Sequence, residues 1–314
     1  MTNRRVCLTR RGFLGTGVAA LTPRAESQQR DASMRLAHTK TESVAFLYGP
    51  QHLFDYRYSP TRPKTYIHPL FLPNGVPVTL DGTEDHIHHR GLMLAWTDVN
   101  GYDFWGELDA GEKGRIVHQR FDRLDVGPPA ELVAINHWIG GGKVLLVERR
   151  VIRVPAPTAA NVLLAWESEL TAPDAAVLLN GQRAPYDGLG IRFVYSMAGG
   201  SVLNANGTTD VRKAHGEAAR WCAFYGICGP NCRGGAVLFD HPSNPRHPTP
   251  YAVYSDKRMG YISAAPTFIE QKLAIPAGGS VRFRYAVASF LGEPDRAEVN
   301  TLYQEWTRSG GRWG

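Results

Sequence analysis

The sequence predicts an all-β protein: a large β-sandwich with one short C-terminal helix. Three observations carry that expectation. Short apolar runs recur along most of the chain, with Gly, Pro, Asn or Asp between them. Several alternate, as in Val281-Arg282-Phe283-Arg284-Tyr285, and alternation over about five to eight residues marks a half-buried strand. No long helical pattern interrupts them, which argues for a sandwich or barrel rather than alternating helices and strands.

The runs come in order as SVAFLYG, TYIHPLFL, VPVTL, LMLAWTDV, GRIVHQRF, ELVAINHWIG, KVLLVERRVIRV, NVLLAWESEL, LGIRFVYSM, GAVLFDH, FIEQKLAIP and SVRFRYAVASF. Each is bounded by turn-forming residues. The helix follows in PDRAEVNTLYQEW, started by Pro294 and Asp295, with Ala297, Leu302 and Trp306 expected to face the body. Neither a linker nor a repeat divides the chain. Residues 31–314 read as a single β-sandwich domain after a leader at 1–30.

The leader accounts for the charge. The chain carries a formal +6, yet residues 1–30 hold six Arg against Glu26, leaving the remainder near +1. No basic stripe survives, so a nucleic-acid partner is not expected. Thr9-Arg10-Arg11-Gly12-Phe13-Leu14, ahead of a modest apolar stretch, resembles a twin-arginine export signal and implies a periplasmic or secreted protein. Beyond it no apolar run approaches the roughly 20 residues that span a bilayer, so stable membrane insertion is not expected. Of four cysteines, Cys7 lies in the leader. Cys222, Cys228 and Cys232 have no zinc-type spacing and leave open either one Cys228–Cys232 disulfide or three thiols.

Chemistry concentrates at EDHIHHRG, residues 84–91, where three of the 11 histidines crowd together. Read as an extended segment, it points His86 and His88 one way and His89 the other. A His-x-His pair can hold a divalent metal, with Glu107, His68 or His241 available as third ligand. Imidazoles can equally give and take protons near neutral pH, with Asp85 orienting one of them. A third reading is a polar network that ties the loop to Arg90. Trp105, next to Glu107, offers a stacking surface for a pyranose, whereas Trp96 reads as core. FDHPSNPRHPTPY is a rigid Pro-rich loop displaying Asp240, His241, Asn244 and His247. Asp187 and Arg192 in YDGLGIRF form a further candidate pair for a ligand or for each other.

The stretch YIHPLFLPNGVPVTLDGTEDHIHHRGLMLAWTDVNGYDFWGE resembles an uncharacterised bacterial family that has carried the labels PmoA and methane oxygenase. The likeness continues through YDGLGIRF, AVLFDHPSNPRHPT and AIPAGGSVRFRYAV, most of the chain after the leader. The resemblance implies a carbohydrate context, because members are often encoded beside sugar oxidoreductases. Where the family usually has Trp after HPT, this chain has Tyr251, which keeps an aromatic face. The many strands are also similar, loosely, to the supersandwich of galactose mutarotase and its aldose epimerase relatives, which use a His and a carboxylate. The expectation is therefore an exported enzyme acting on a glycoside or keto-sugar by acid–base chemistry, as hydrolase or lyase. His86, His88, His89, Glu107 and His241 are the candidate catalytic residues. His68, Asp85, Arg90, Trp105, Asp187, Arg192, Asp240, Asn244, His247 and Tyr251 are the candidate ligand contacts. A mutarotase-like isomerase, a sugar-binding module and a metal-dependent oxygenase are the alternatives. Both histidine-bearing loops are expected to line one cleft.

Overall fold

The alternating runs become strands that stack in two layers. The computed structural model describes residues 33–40, 42–84, 86–107, 112–180, 186–269 and 271–313, so the leader and Asp85 lie outside the described residues. In chain order the strands are β1 (Met34–His38), β2 (Ser43–Tyr48), β3 (Gln51–Arg57), β4 (Tyr66–Leu70), β5 (Leu92–Trp96), β6 (Asp98–Val99), β7 (Gly114–Asp125), β8 (Ala130–Gly140), β9 (Lys143–Val154) and β10 (Asn161–Thr171). There follow β11 (Val177–Asn180), β12 (Asp187–Arg192), β13 (Ser201–Asn204), β14 (Trp221–Gly229), β15 (Cys232–Asp240), β16 (Tyr251–Ser255), β17 (Gly260–Ala264), β18 (Lys272–Ile275) and β19 (Ser280–Leu291). One eight-stranded sheet runs β1-β2-β3-β4-β5-β12-β17-β16, and a second runs β13-β14-β15-β19-β10-β9-β8-β7. A small third sheet joins β18, β11 and β6.

Alternation sorts the first sheet into an inner and an outer face. Leu92, Leu94 and Trp96 of β5 enter the main core, while Met93 and Ala95 belong to a separate cluster on the other side. Trp96 bridges the layers, its ring 5.9 Å from Trp138 of β8 and 5.4 Å from Phe283 of β19. This confirms Trp96 as core.

A fully buried ion pair also links the layers. Arg150 Nε and Nη2 each donate to Glu148 at 2.8 Å, and Nη1 donates to Thr65 Oγ1 at 2.7 Å. Glu148 also accepts from Trp138 Nε1 at 3.0 Å and Ser168 Oγ at 2.5 Å. Such a pair is tolerated in a core only when its donors and acceptors are met this fully. Its local effect is to pin Thr65 inward, which turns Lys64 and Tyr66 on either side toward the outer face.

Some sequence expectations change. VPVTL forms no strand: Pro77 and Thr79 make isolated bridges to Phe71 and Phe193, because Pro cannot donate to a ladder. FIEQKLAIP shortens to β18. The helix is real: α1 spans Arg296–Arg308, and the Asp295 carboxylate accepts from the amides of Ala297 and Glu298, a cap worth about 1 kcal/mol. Its buried face is Val299, Tyr303 and Trp306, with Ala297 exposed. Cys222, Cys228 and Cys232 are buried free thiols, with the Cys228 and Cys232 sulfurs 2.8 Å apart across the β14–β15 hairpin. Among the described residues no helix is long and apolar enough to cross a membrane.

Candidate functional site

The outer face of the first sheet carries an aromatic floor. Tyr66 of β4, Met93 and Ala95 of β5, and Tyr261 of β17 pack with Trp105, while Tyr186, Tyr254 and Met259 line the margin. Tyr261 lies across β12, where Gly190 makes room: a Cβ there would collide with the tyrosine hydroxyl. Trp105 stacks on Tyr186 at 5.6 Å, and Tyr186 meets Tyr254 at 5.9 Å. The Trp105 ring is buried, yet its indole Nε1 has no partner among the described residues. A ligand acceptor could satisfy such a buried donor only if a neighbouring side chain moved aside.

The histidine loop sits beside this floor, but not as an extended strand. The His86 amide donates to Thr83 O at 3.2 Å and the His89 amide to His86 O at 3.0 Å, giving two successive turns. The turns gather all three rings, where strand alternation would have split them. His86 and His89 stack at 4.8 Å, His88 meets His89 edge-on at 4.6 Å, and His86 lies 5.7 Å from His88. His89 is buried and also stacks on Tyr261 at 5.1 Å. Arg192 Nη1 stands 3.4 Å from His89 Nδ1. A guanidinium can only donate, so Nδ1 accepts and the His89 proton resides on Nε2. Burial, reinforced by the nearby His88 and Arg192, holds this imidazole far below its ordinary pKa, so it stays neutral.

Charged groups brace the loop from beneath. Arg90 donates from Nε and Nη2 to the two oxygens of Glu107 and from Nη1 to Asp81 at 3.1 Å. Gly82, at φ +62°, leaves the space that the Arg90 guanidinium fills. Lys64 Nζ donates to Trp105 O at 2.5 Å and His88 O at 3.2 Å and pairs with Glu107 at 3.2 Å. Burial lowers the Lys64 pKa to about 8, with Glu107 opposing the fall. Glu107 is itself held below the usual carboxylate range: its Arg90 and Lys64 contacts outweigh burial, the largest single influence, which pushes upward. Its carboxylate is thus a fixed anion that orients two cations, not a group poised to exchange a proton. His68, on the same outer face, bonds Thr79 Oγ1 at 3.1 Å, and burial lowers its pKa to about 4.

The stacked pair His86 and His89 does not suit a shared metal. Stacked imidazoles such as His86 and His89 send their in-plane lone pairs along parallel planes rather than toward one point. The Nδ1 lone pair of His89 is taken by Arg192. Among the described residues no group of three or more His, Cys, Asp or Glu is arranged to hold a metal.

The fold thus gathers His68, His86, His88, His89, Arg90, Trp105, Glu107 and Arg192. It separates the others. Asp187 and Arg192 are five residues apart on one strand, and an odd separation puts them on opposite faces. Asp187 points inward and accepts from the Thr267 amide at 2.6 Å and from its hydroxyl. Burial raises its pKa to about 7. Tyr251 is also inward, its hydroxyl donating to Leu238 O at 2.9 Å, so it presents no stacking face.

Asp240 ends β15 in the second sheet. It accepts from His247 Nδ1 at 2.7 Å, Asn244 Nδ2 at 2.7 Å and the Thr249 amide at 3.0 Å. Asn244 further clasps the Arg284 backbone, and His241 packs edge-on to Trp306 at 5.0 Å. These four side chains brace their own loop on the second sheet, whereas the histidine group overlies the outer face of the first. The candidate site is therefore built on the first loop alone.

Lys64, Tyr66, Asp81, Tyr186, Tyr254 and Tyr261 were not anticipated. Tyr66 is the most legible of them, since it opens the quoted motif and donates to Asp81 at 2.9 Å.

Solved structures similar to this chain include a heparinase III, with TM-score 0.42, 10% identity and 83% of this chain covered. A heparan sulfate lyase HepC mutant from Pedobacter heparinus gives 0.32 at 9% identity over 84% of this chain, and an alpha-galactosidase from Lactobacillus brevis 0.36 at 9% over 83%. This chain spans 36%, 36% and 38% of those three chains. No curated protein matches. The family label of methane oxygenase finds no counterpart in these comparisons. The model of a family of unknown function, DUF6807, matches residues 43–304, and the chain belongs to that family.

Proposed function

We propose that the outer face of the first sheet binds a carbohydrate and acts on it by acid–base chemistry at the histidine group. The observation that carries this reading is the meeting of three imidazoles, one of them held neutral, with an aromatic wall that includes an unsatisfied Trp105 Nε1. A pyranose needs an apolar surface for its C–H face and polar groups for its hydroxyls. Half-buried Tyr186 and Tyr254, backed by buried Trp105, supply the first, and His86, His88 and the Nε2–H of His89 the second. Neutral His89 can polarise a carbonyl or hydroxyl oxygen. Half-buried His86 and His88 are the groups that would take and return a proton. On a keto-glycoside this amounts to removing the proton α to the carbonyl and protonating the leaving oxygen, which breaks the glycosidic bond and leaves a C=C bond, a lyase reaction; addition of water across that bond would complete a hydrolysis.

A non-catalytic sugar-binding module is the second reading. One observation favours it: Glu107, the carboxylate beneath the histidine loop, is consumed by Arg90 and Lys64. Incubating the purified protein with glycosides and their keto derivatives, with product analysis, decides between them. Turnover of a keto-glycoside, abolished in His86→Ala and His88→Ala, supports the enzyme. Binding without turnover supports the module. Elemental analysis of the same preparation tests the metal alternative. We further propose export through the leader. A reporter fused after residue 33 should lose export when Arg10 and Arg11 are both replaced by Lys, and undiminished export would refute it.

A further inference from the structure

A polar cavity of about 310 Å³ adjoins this site, lined by Glu42, Arg57, Ser59, Thr61, Arg62 and Tyr66. It shares Tyr66 with the aromatic floor, where that ring packs in the cluster of Trp105 and Tyr261. Tyr66 also donates to Asp81, the partner of Arg90 in the histidine loop.

The cavity's cations are not spent. Among the described residues Arg57 uses only Nε, which donates to His68 O at 2.6 Å. That bond fixes the side chain and leaves both terminal nitrogens available. Arg62 is exposed and its side chain makes no hydrogen bond or ion pair among the described residues. Other arginines on the surface, such as Arg120, Arg123 and Arg282, have carboxylate partners. The Arg62 segment is nonetheless held in place: its amide donates to Ser59 O at 3.1 Å, and Arg115 Nη2 donates to Pro60 O at 2.5 Å. The one carboxylate in the lining, Glu42, accepts from Ser59 Oγ at 2.5 Å. Two guanidinium groups against one hydrogen-bonded carboxylate leave an excess of positive charge. The planar guanidinium fork matches a carboxylate.

We propose that the Arg57–Arg62–Tyr66 cavity is a subsite for the carboxylate of a uronic acid residue, adjoining the histidine face. This rests on the carbohydrate reading and adds to it that the favoured saccharide is acidic. Arg57 and Arg62 would hold the carboxylate, and the neighbouring ring would lie toward Trp105.

Isothermal titration of the intact protein with methyl β-D-glucuronide, methyl β-D-glucoside and sodium sulfate tests it. The glucuronide should bind roughly tenfold or more tightly than the glucoside, the gain expected of a charge-assisted pair. That preference should shrink with added salt and vanish in Arg62→Gln. Because the Arg62 side chain has no partner to lose, this variant should melt like the parent. Arg57→Gln, which also frees the His68 carbonyl, serves as second variant. Equal binding of the two sugars overturns the subsite and leaves the carbohydrate reading standing. If sulfate binds and neither sugar does, the carbohydrate reading fails, and the uronate proposal with it.

Discussion

Arg192 Nη1 meets His89 Nδ1 at 3.4 Å, and this contact fixes which imidazole nitrogen carries the proton. The residues are 103 positions apart, brought together because Arg192 is the last outward residue of β12 and His89 closes the turn above it. With Nδ1 accepting, His89 has a single N–H, on Nε2.

The first prediction follows from that tautomer. In ¹⁵N spectra of the imidazoles, His89 should stay neutral with Nε2 protonated from pH 8 down to pH 5, while an ordinary histidine titrates near 6.5. Titration of His89 in that range would refute its assigned environment.

Glu107 is predicted to be a structural anion. Glu107→Gln leaves buried Lys64 and Arg90 short of their shared counter-charge, which should cost about 3–5 kcal/mol in urea unfolding. A loss under 1 kcal/mol would show that the clamp is loose and that Glu107 is available for proton transfer.

Asp187 makes stability depend on pH. Its folded pKa of about 7 is raised above the ordinary 3.8. Between these values the unfolded chain has lost a proton that the folded chain keeps. Stability from this group therefore falls as pH rises from about 4 to about 7. Asp187→Asn mimics the protonated form and should flatten that segment of a denaturation profile. An unchanged slope would mean that the carboxyl is already ionised.

How far could the sequence be read? Alternation in SVRFRYAVASF gave β19, and Asp295 gave the start of α1, because both are local signals. The histidine loop was legible as a place but not as a geometry. Whether His86, Ile87, His88 and His89 alternate or turn depends on the Thr83 carbonyl and on Arg90 filling the space beside Gly82. Asp240 and His247 looked as functional as His86, since a hydrogen-bonded brace and an active site use the same residue types. Lys64 and Tyr261 were invisible for a related reason. A lysine after Pro63 and a tyrosine in a strand gain meaning only from the face on which they emerge.

The brace can be tested separately. Asp240→Asn weakens the grip on His247 and Thr249 and should cost about 1–3 kcal/mol of stability. Sugar binding, measured well below the melting temperature, should be unaffected. Loss of binding in a folded Asp240→Asn protein would restore the second loop to the site.

The most direct test of the account is to titrate ¹³C-histidine-labelled protein with glycosides and their keto derivatives, following each assigned imidazole by NMR. The account predicts shifts at His86, His88 and His89 with each ligand that binds, and none at His241 or His247. Shifts confined to His241 and His247, or no ligand-induced shift at the three clustered histidines, would contradict it.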